Sequence, residues 1–178
     1  MAGEPVSYLV MQQAEENLAE ILRDRPLTTD ETREMLLQVA SALDYLHSQG
    51  MAHGDVNASN IVAIGDTVKL SSESIAEGDA AADVRALGFT LIHALTQREE
   101  TRAHDNMESA VDLPAPFDEI AKGCLNPDPA LRWTANEIIA RLRCLSTPDR
   151  PASPAWRRPA NPCRRGRGSG ASPDPPAY

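Results

Sequence analysis

The sequence predicts a mainly α-helical domain with one small β-hairpin and an unstructured C-terminal tail. Three observations carry that expectation. Apolar residues recur at helical spacing in several segments between residues 17 and 145, and two of these open on a Thr-x-x-Glu capping pattern. Two β-branched runs flank Gly65-Asp66, a hairpin signal. After Ser146 the periodicity stops, and residues 147–178 hold eight of the chain's 14 prolines with Trp156 as their main apolar side chain, too little burial to offset the entropy of ordering them.

Each element has its own local signal. Asn17 is placed to cap a short helix that carries Leu18, Ile21 and Leu22 on one face and ends before Pro26. Thr28 and Glu31 form a capping box ahead of a long helix whose apolar stripe is Leu36, Val39, Ala40, Leu43, Leu46 and His47, with Gly50 as the stop signal. Short strands are expected at Ile61 to Ile64 and Thr67 to Leu70. From Ala80 to Thr96 so few positions are polar that the helix is expected to be buried nearly all round. Phe117 to Leu125 reads as a further short helix, and the Thr134/Glu137 box opens a last one through Ile138, Ile139, Leu142 and Leu145. The expected core is Leu36, Val39, Leu43, Leu46, Ile61, Val62, Leu70, Val84, Leu87, Leu91, Ile92, Leu95, Ile120, Leu125, Ile138, Ile139 and Leu142.

A chain of 178 residues accommodates one compact domain and a tail, at the usual ~100 to 200 residues per domain. With 42% hydrophobic and 24% charged residues, collagen-like and wholly disordered chains are excluded. Residues 147–178 carry six Arg against two Asp, a local +4, which leaves −13 on residues 1–146 out of a total of −9. So acidic a body does not offer the clustered Lys and Arg that track nucleic-acid phosphates, and any nucleic-acid binding is expected through the Arg-rich tail alone. The N-terminal residues show neither a basic nor an apolar signal region, and no window is long and apolar enough to span a membrane, so a cytoplasmic location is expected. Cys124, Cys144 and Cys163 are odd in number and lack metal-ligand spacing, as do the four histidines, so reduced thiols and no metal site are expected.

The segment His53-Gly54-Asp55-Val56-Asn57-Ala58-Ser59-Asn60 resembles the catalytic loop H-R-D-L-K-x-x-N of the eukaryotic-type (Hanks-type) Ser/Thr protein kinases. Further anchors follow the family's order. Tyr8-Leu9-Val10-Met11 resembles the strand running into the hinge, and Val68-Lys69-Leu70 the strand before the metal-binding Asp-Phe-Gly. Asp83-Val84-Arg85-Ala86-Leu87-Gly88 is similar to D-V-W-S-L-G, and Asp128-Pro129-Ala130-Leu131-Arg132-Trp133-Thr134 to D-P-x-x-R-P-T. The resemblance implies the helical large lobe of the kinase fold over residues 13–146, a hinge-like strand over 1–12 and the tail over 147–178. It implies Asp55 as the catalytic-loop carboxylate and Asn60 as the amide that meets Mg-ATP.

Departures from the family pattern govern the functional expectation. No glycine-rich loop, strand lysine or pairing glutamate precedes Tyr8, so the small lobe is expected to be absent. Gly54 and Asn57 stand where the family has Arg and Lys, and Ser72-Glu73-Ser74 where it has Asp-Phe-Gly, leaving Glu73 as the one substitute metal carboxylate. Eight residues separate Ser74 from Asp83, without an Ala-Pro-Glu, and Arg132 is left to find another acid. The expectation is therefore a pseudokinase-like fragment with no cofactor, acting through an unidentified protein partner. Asp55 becomes a carboxylate that caps its loop and ties it to the helix near Asp83, with His53 bracing the same loop. Two alternatives stay open: a Ser/Thr kinase using Mg-ATP whose small lobe is missing from this chain, and a small helical protein whose tail binds nucleic acid. Without the small lobe, the hinge strand and hairpin are expected to expose apolar surface, and Trp133 is expected to staple the Thr134 cap.

Overall fold

The computed structural model describes residues 14–65, 67–71, 75–98 and 113–144. Ten elements follow in chain order: β1 (Glu16–Asn17), α1 (Leu18–Asp24), α2 (Thr29–Ser48), β2 (Met51–Ala52), β3 (Ile61–Ile64), β4 (Thr67–Leu70), β5 (Ala76–Glu77), α3 (Ala80–Thr96), α4 (Phe117–Cys124) and α5 (Ala135–Cys144). The Tyr8 to Met11 segment, Glu73, His104, Leu145, Cys163 and the 147–178 tail lie outside the described residues.

Helix starts follow the capping chemistry. Asn17 accepts the Glu20 N–H at 2.9 Å while Glu20 reaches back to the Asn17 N–H. At α2, Thr28 Oγ1 accepts the Glu31 N–H and Glu31 accepts the Thr28 N–H at 2.8 Å, so two orphan donors of the first turn are satisfied reciprocally. The same Glu31 carboxylate takes a two-pronged guanidinium contact from Arg25, at 2.8 and 2.9 Å, which fixes the α1–α2 connection. Thr134 and Glu137 repeat the box at α5.

The long helix α2 is the spine. Its stripe of Met35, Leu36, Val39, Ala40 and Leu43 is wholly buried, and it packs against α5, α3 and β4. At mid-length, α3 lies so close to α4 that a Cβ added at Gly88 would sit 2.8 Å from Cys124 Cβ and 2.9 Å from Leu125 Cγ. Only the missing side chain permits that approach.

Strands β1, β3 and β4 form one antiparallel sheet in that order, with Asn17 opposite Val62 and Ala63 opposite Val68. A second antiparallel pair joins β2 to β5, setting Ala52 opposite Ala76. The hairpin and all five described helices stand where the sequence places them, but β1, β2 and β5 were not expected. Two-residue strands have no period to read; partners distant in the chain create them.

Three expected core residues, Leu46, Leu70 and Leu95, are only half-buried, because each sits at the end of its element. Leu18, Met35, Val56, Val68 and Phe117 take full places in the core instead. Nor does the hairpin expose large apolar side chains. Val62 is buried and Ile64 and Leu70 are half-covered, while the exposed large apolar residues among those described are Tyr45, Ile75 and Leu131.

Candidate functional site

Residues 53–60 connect β2 to β3 as a loop clamped at both faces. Val56 and Ala58 turn into the core, which fixes the alternation of the chain, and the Ala58 carbonyl accepts the Ala19 N–H at the start of α1. Gly54 lies at φ +78°, in the left-handed region that glycine enters without strain.

Asp83, in the first turn of α3, is 1% exposed and is the anchor of this loop. Its Oδ2 accepts the His53 N–H at 2.7 Å and its Oδ1 accepts the Gly54 N–H at 2.8 Å. From α2, His47 Nε2 lies 2.9 Å from the same Oδ2. Three polar contacts thus solvate one buried carboxylate, which is what burying a charge requires.

The His53 ring is equally buried, and its two nitrogens have different partners. Nε2 lies 3.0 Å from the Ser71 carbonyl, an acceptor, whereas Nδ1 faces the Asp55 N–H at 3.3 Å. These partners assign the proton to Nε2. His53 therefore braces the loop, as expected, but it meets Asp83 through its backbone N–H while its ring bonds elsewhere.

Asp55 and Asn60 are brought together. Asn60 Nδ2 donates to Asp55 Oδ2 at 3.0 Å and to the Asp55 carbonyl at 2.8 Å, and Asn57 Nδ2 donates to Asp55 Oδ1 at 2.9 Å. Asn57 Oδ1 in turn accepts the N–H groups of Ser59, at 2.9 Å, and Asn60, at 3.1 Å. Asp55 is exposed, and Asp83 ties the loop to α3 by accepting the backbone N–H groups of residues 53 and 54.

Sequence reasoning missed two residues of this network. His47 had been placed on an apolar stripe, where a histidine among aliphatic neighbours signals a buried polar partner. Asn57 had been read only as a lost lysine, yet Asn three residues before Asn60 is also a loop-capping spacing.

Among the described residues Arg132 meets carbonyl oxygens and no acid. Its Nε and Nη2 donate to the Asn126 carbonyl at 3.1 and 3.0 Å, and its Nη1 donates to the Ala81 carbonyl at 2.7 Å, joining the loop after α4 to the start of α3. Trp133 lies against α4, where its ring covers Gly123 and its N–H donates to the Gly123 carbonyl at 3.0 Å. Cys124 is buried, and desolvation pushes its thiol up to about 12 against an opposing influence from Arg132, so it is no nucleophile at neutral pH.

A Mg²⁺ ion demands near-octahedral oxygen coordination, commonly with one or two carboxylates. Here the loop offers Asn60 Oδ1 and a carboxylate whose two oxygens each accept an amide N–H. Among the described residues no group of three or more His, Cys, Asp or Glu side chains is placed to hold a metal ion. Glu73, the substitute metal carboxylate that the sequence offers, lies outside the described residues.

Residues 3–72 match the family model described as "Protein kinase domain". The chain is 30% identical over 123 residues to SNF1-activating kinase 1 of Saccharomyces cerevisiae, an alignment covering 67% of this chain and 10% of that protein. It is 32% identical over 73 residues to cyclin-dependent kinase F-4 of Oryza sativa subsp. japonica, covering 40% of this chain and 16% of that one. With the Wee1-like protein kinase of the same plant the identity is 26% over 151 residues, 66% of this chain and 29% of the relative. The chain therefore spans less than a third of the length of each of these relatives.

Proposed function

We propose that this chain, which belongs to the protein kinase family and carries part of that family's domain, is a catalytically silent kinase-like lobe that acts in the cytoplasm by binding another protein. In this reading residues 13–146 are the helical large lobe, residues 1–12 a hinge-like segment and residues 147–178 an appended tail. The observation that carries it is the loop over residues 53–60. It holds Asp55 and Asn60 on a rigid frame, yet places Gly54 and Asn57 at the family's two cationic positions.

Phosphoryl transfer is catalysed by positioning and by electrostatic stabilisation of a group whose charge is spread over three oxygens. A loop that presents the Asp55 charge and no cation repels that group. A general base worth ~10² to 10⁴ in rate acts only on a substrate that is held. Arg132 supports the same reading: the family partner of this arginine is a glutamate of the activation segment, and here carbonyl oxygens satisfy the guanidinium. The frame is braced without a substrate platform.

Purified chain is expected neither to hydrolyse ATP nor to transfer its γ-phosphate above background, and millimolar Mg-ATP is expected to leave its melting temperature unchanged. A saturable rise of several degrees, abolished by Asn60→Ala, overturns the reading.

The Asp55–Asn60 contact favours a second reading, a Ser/Thr protein kinase using Mg-ATP whose phosphate-binding lobe lies outside this chain. Translation of the DNA upstream of Met1 separates the two. A G-x-G-x-x-G followed in frame by V-A-x-K supports the second.

A further inference from the structure

We infer that Asn57 is the positioning residue of the Asp55 loop: one side chain secures the turn by capping the Ser59 N–H through its oxygen and holds the Asp55 carboxylate through its nitrogen. The inference rests on the reading of the loop as a silent catalytic loop, and names the residue that keeps it in one conformation.

The two halves of the amide do different things. Oδ1 accepts the Ser59 N–H at 2.9 Å and shares the Asn60 N–H with the Asn57 carbonyl, each at 3.1 Å. Nδ2 donates to Asp55 Oδ1 at 2.9 Å and approaches the Asp55 carbonyl at 3.3 Å. Asn60 supplies the matching bond to Oδ2, and its own N–H is held by Asn57 through both the side-chain and the backbone oxygen. A lysine at this position has three donors and no acceptor, so the backbone bond from the Asn60 N–H to the carbonyl of residue 57 remains but the Ser59 N–H loses its side-chain acceptor. The residue that stands in place of a phosphate-facing cation also supplies the clasp.

Asn57→Ala and Asn57→Asp separate the halves. Alanine removes the side-chain donor and acceptor but keeps the backbone carbonyl that the Asn60 N–H also meets, so the amide of Ser59 is expected to exchange with solvent about tenfold faster and that of Asn60 to change less. Aspartate keeps the acceptor, so amide exchange stays within about twofold of wild type. It also sets a second carboxylate beside Asp55. The Asp55 carboxyl carbon NMR signal at neutral pH is expected to shift in both variants, because each loses the amide that donates to Oδ1.

Amide protection in α2 and α3 reports whether the fold is intact, and the aspartate variant keeps the turn even if alanine loosens it. Unchanged Ser59 exchange in Asn57→Ala, equal acceleration in both variants, or an Asp55 carboxyl signal that moves in neither overturns the inference. Mg-ATP binding by wild type overturns the functional reading and leaves this clasp standing, so the two failures are distinct.

Discussion

Asp83 and Asp55 are both acids of the same network, and their surroundings give them opposite weights. Asp83 is buried and answers two backbone N–H groups and an imidazole, from α2 and from the loop. Asp55 is exposed and answers two side-chain amides of its own loop. Removing a buried acceptor leaves each of its donors unpaired, at about 1 to 3 kcal/mol for a group, whereas bonds on a solvated surface are readily replaced by water. Asp83→Ala is expected to destabilise the fold by about 3 kcal/mol and Asp55→Ala by less than about 1 kcal/mol. Urea unfolding, compared by midpoint at constant slope, measures both, and equal losses contradict the assignment of the anchor to Asp83. The sequence placed Asp55 and Asn60 in one site because a motif spans eight consecutive residues. It did not show that the loop hangs from Asp83, since that bond joins residues 30 apart through backbone N–H groups, which no side-chain pattern marks.

At the scale of elements, what is local was legible and what depends on a distant partner was not. Asn17, the Thr28/Glu31 pair and the Thr134/Glu137 pair start their helices as their spacing predicts, and Gly65 turns the hairpin at φ +59°. The Trp133 ring covers Gly123, ten residues back on α4, a contact that a staple at the adjacent cap does not contain. That contact makes a sharp prediction. A Cβ on Gly123 would lie 2.6 Å from Trp133 Cε2 and Cγ, closer than side chains approach. Gly123→Ala is therefore expected to cost about 1 to 3 kcal/mol through overpacking, outweighing the ~1 kcal/mol that alanine gains over glycine in a helix. With the ring removed, the sign reverses: in a Trp133→Ala background the same Gly123→Ala change is expected to be neutral or stabilising. A double-mutant cycle read by chemical denaturation checks this, and additive effects contradict the packing of the ring on α4.

The whole molecule joins these parts through ionisable groups whose surroundings differ between the folded and unfolded chain, so its stability has a definable pH profile. No helix among the described residues is long and apolar enough to cross a membrane. On the alkaline side, burial raises the Cys124 thiol from 9.0 to about 12. A group whose folded value is raised gives stability that is complete below its unfolded value and is lost as pH climbs toward the folded one, so the loss falls between about pH 9 and 12. On the acid side, burial works to raise the Glu31 carboxyl, but the bonds from Arg25 and Thr28 outweigh it and hold the group below its ordinary 4.5. Glu137 is lowered by the backbone and hydroxyl bonds of Thr134. For these depressed acids the contribution is present above 4.5 and disappears as pH falls through their folded values. Urea midpoints taken across pH are thus expected to form a plateau with two separable flanks. Cys124→Ala should flatten the alkaline flank alone. Glu31→Gln should shallow the acid flank while lowering the plateau, because its neutral amide keeps the shape of the cap and loses the charge that Arg25 grips. An acid flank equally steep in Glu31→Gln would place the stabilising carboxylates elsewhere than at the Arg25–Glu31 junction that joins α1 to α2.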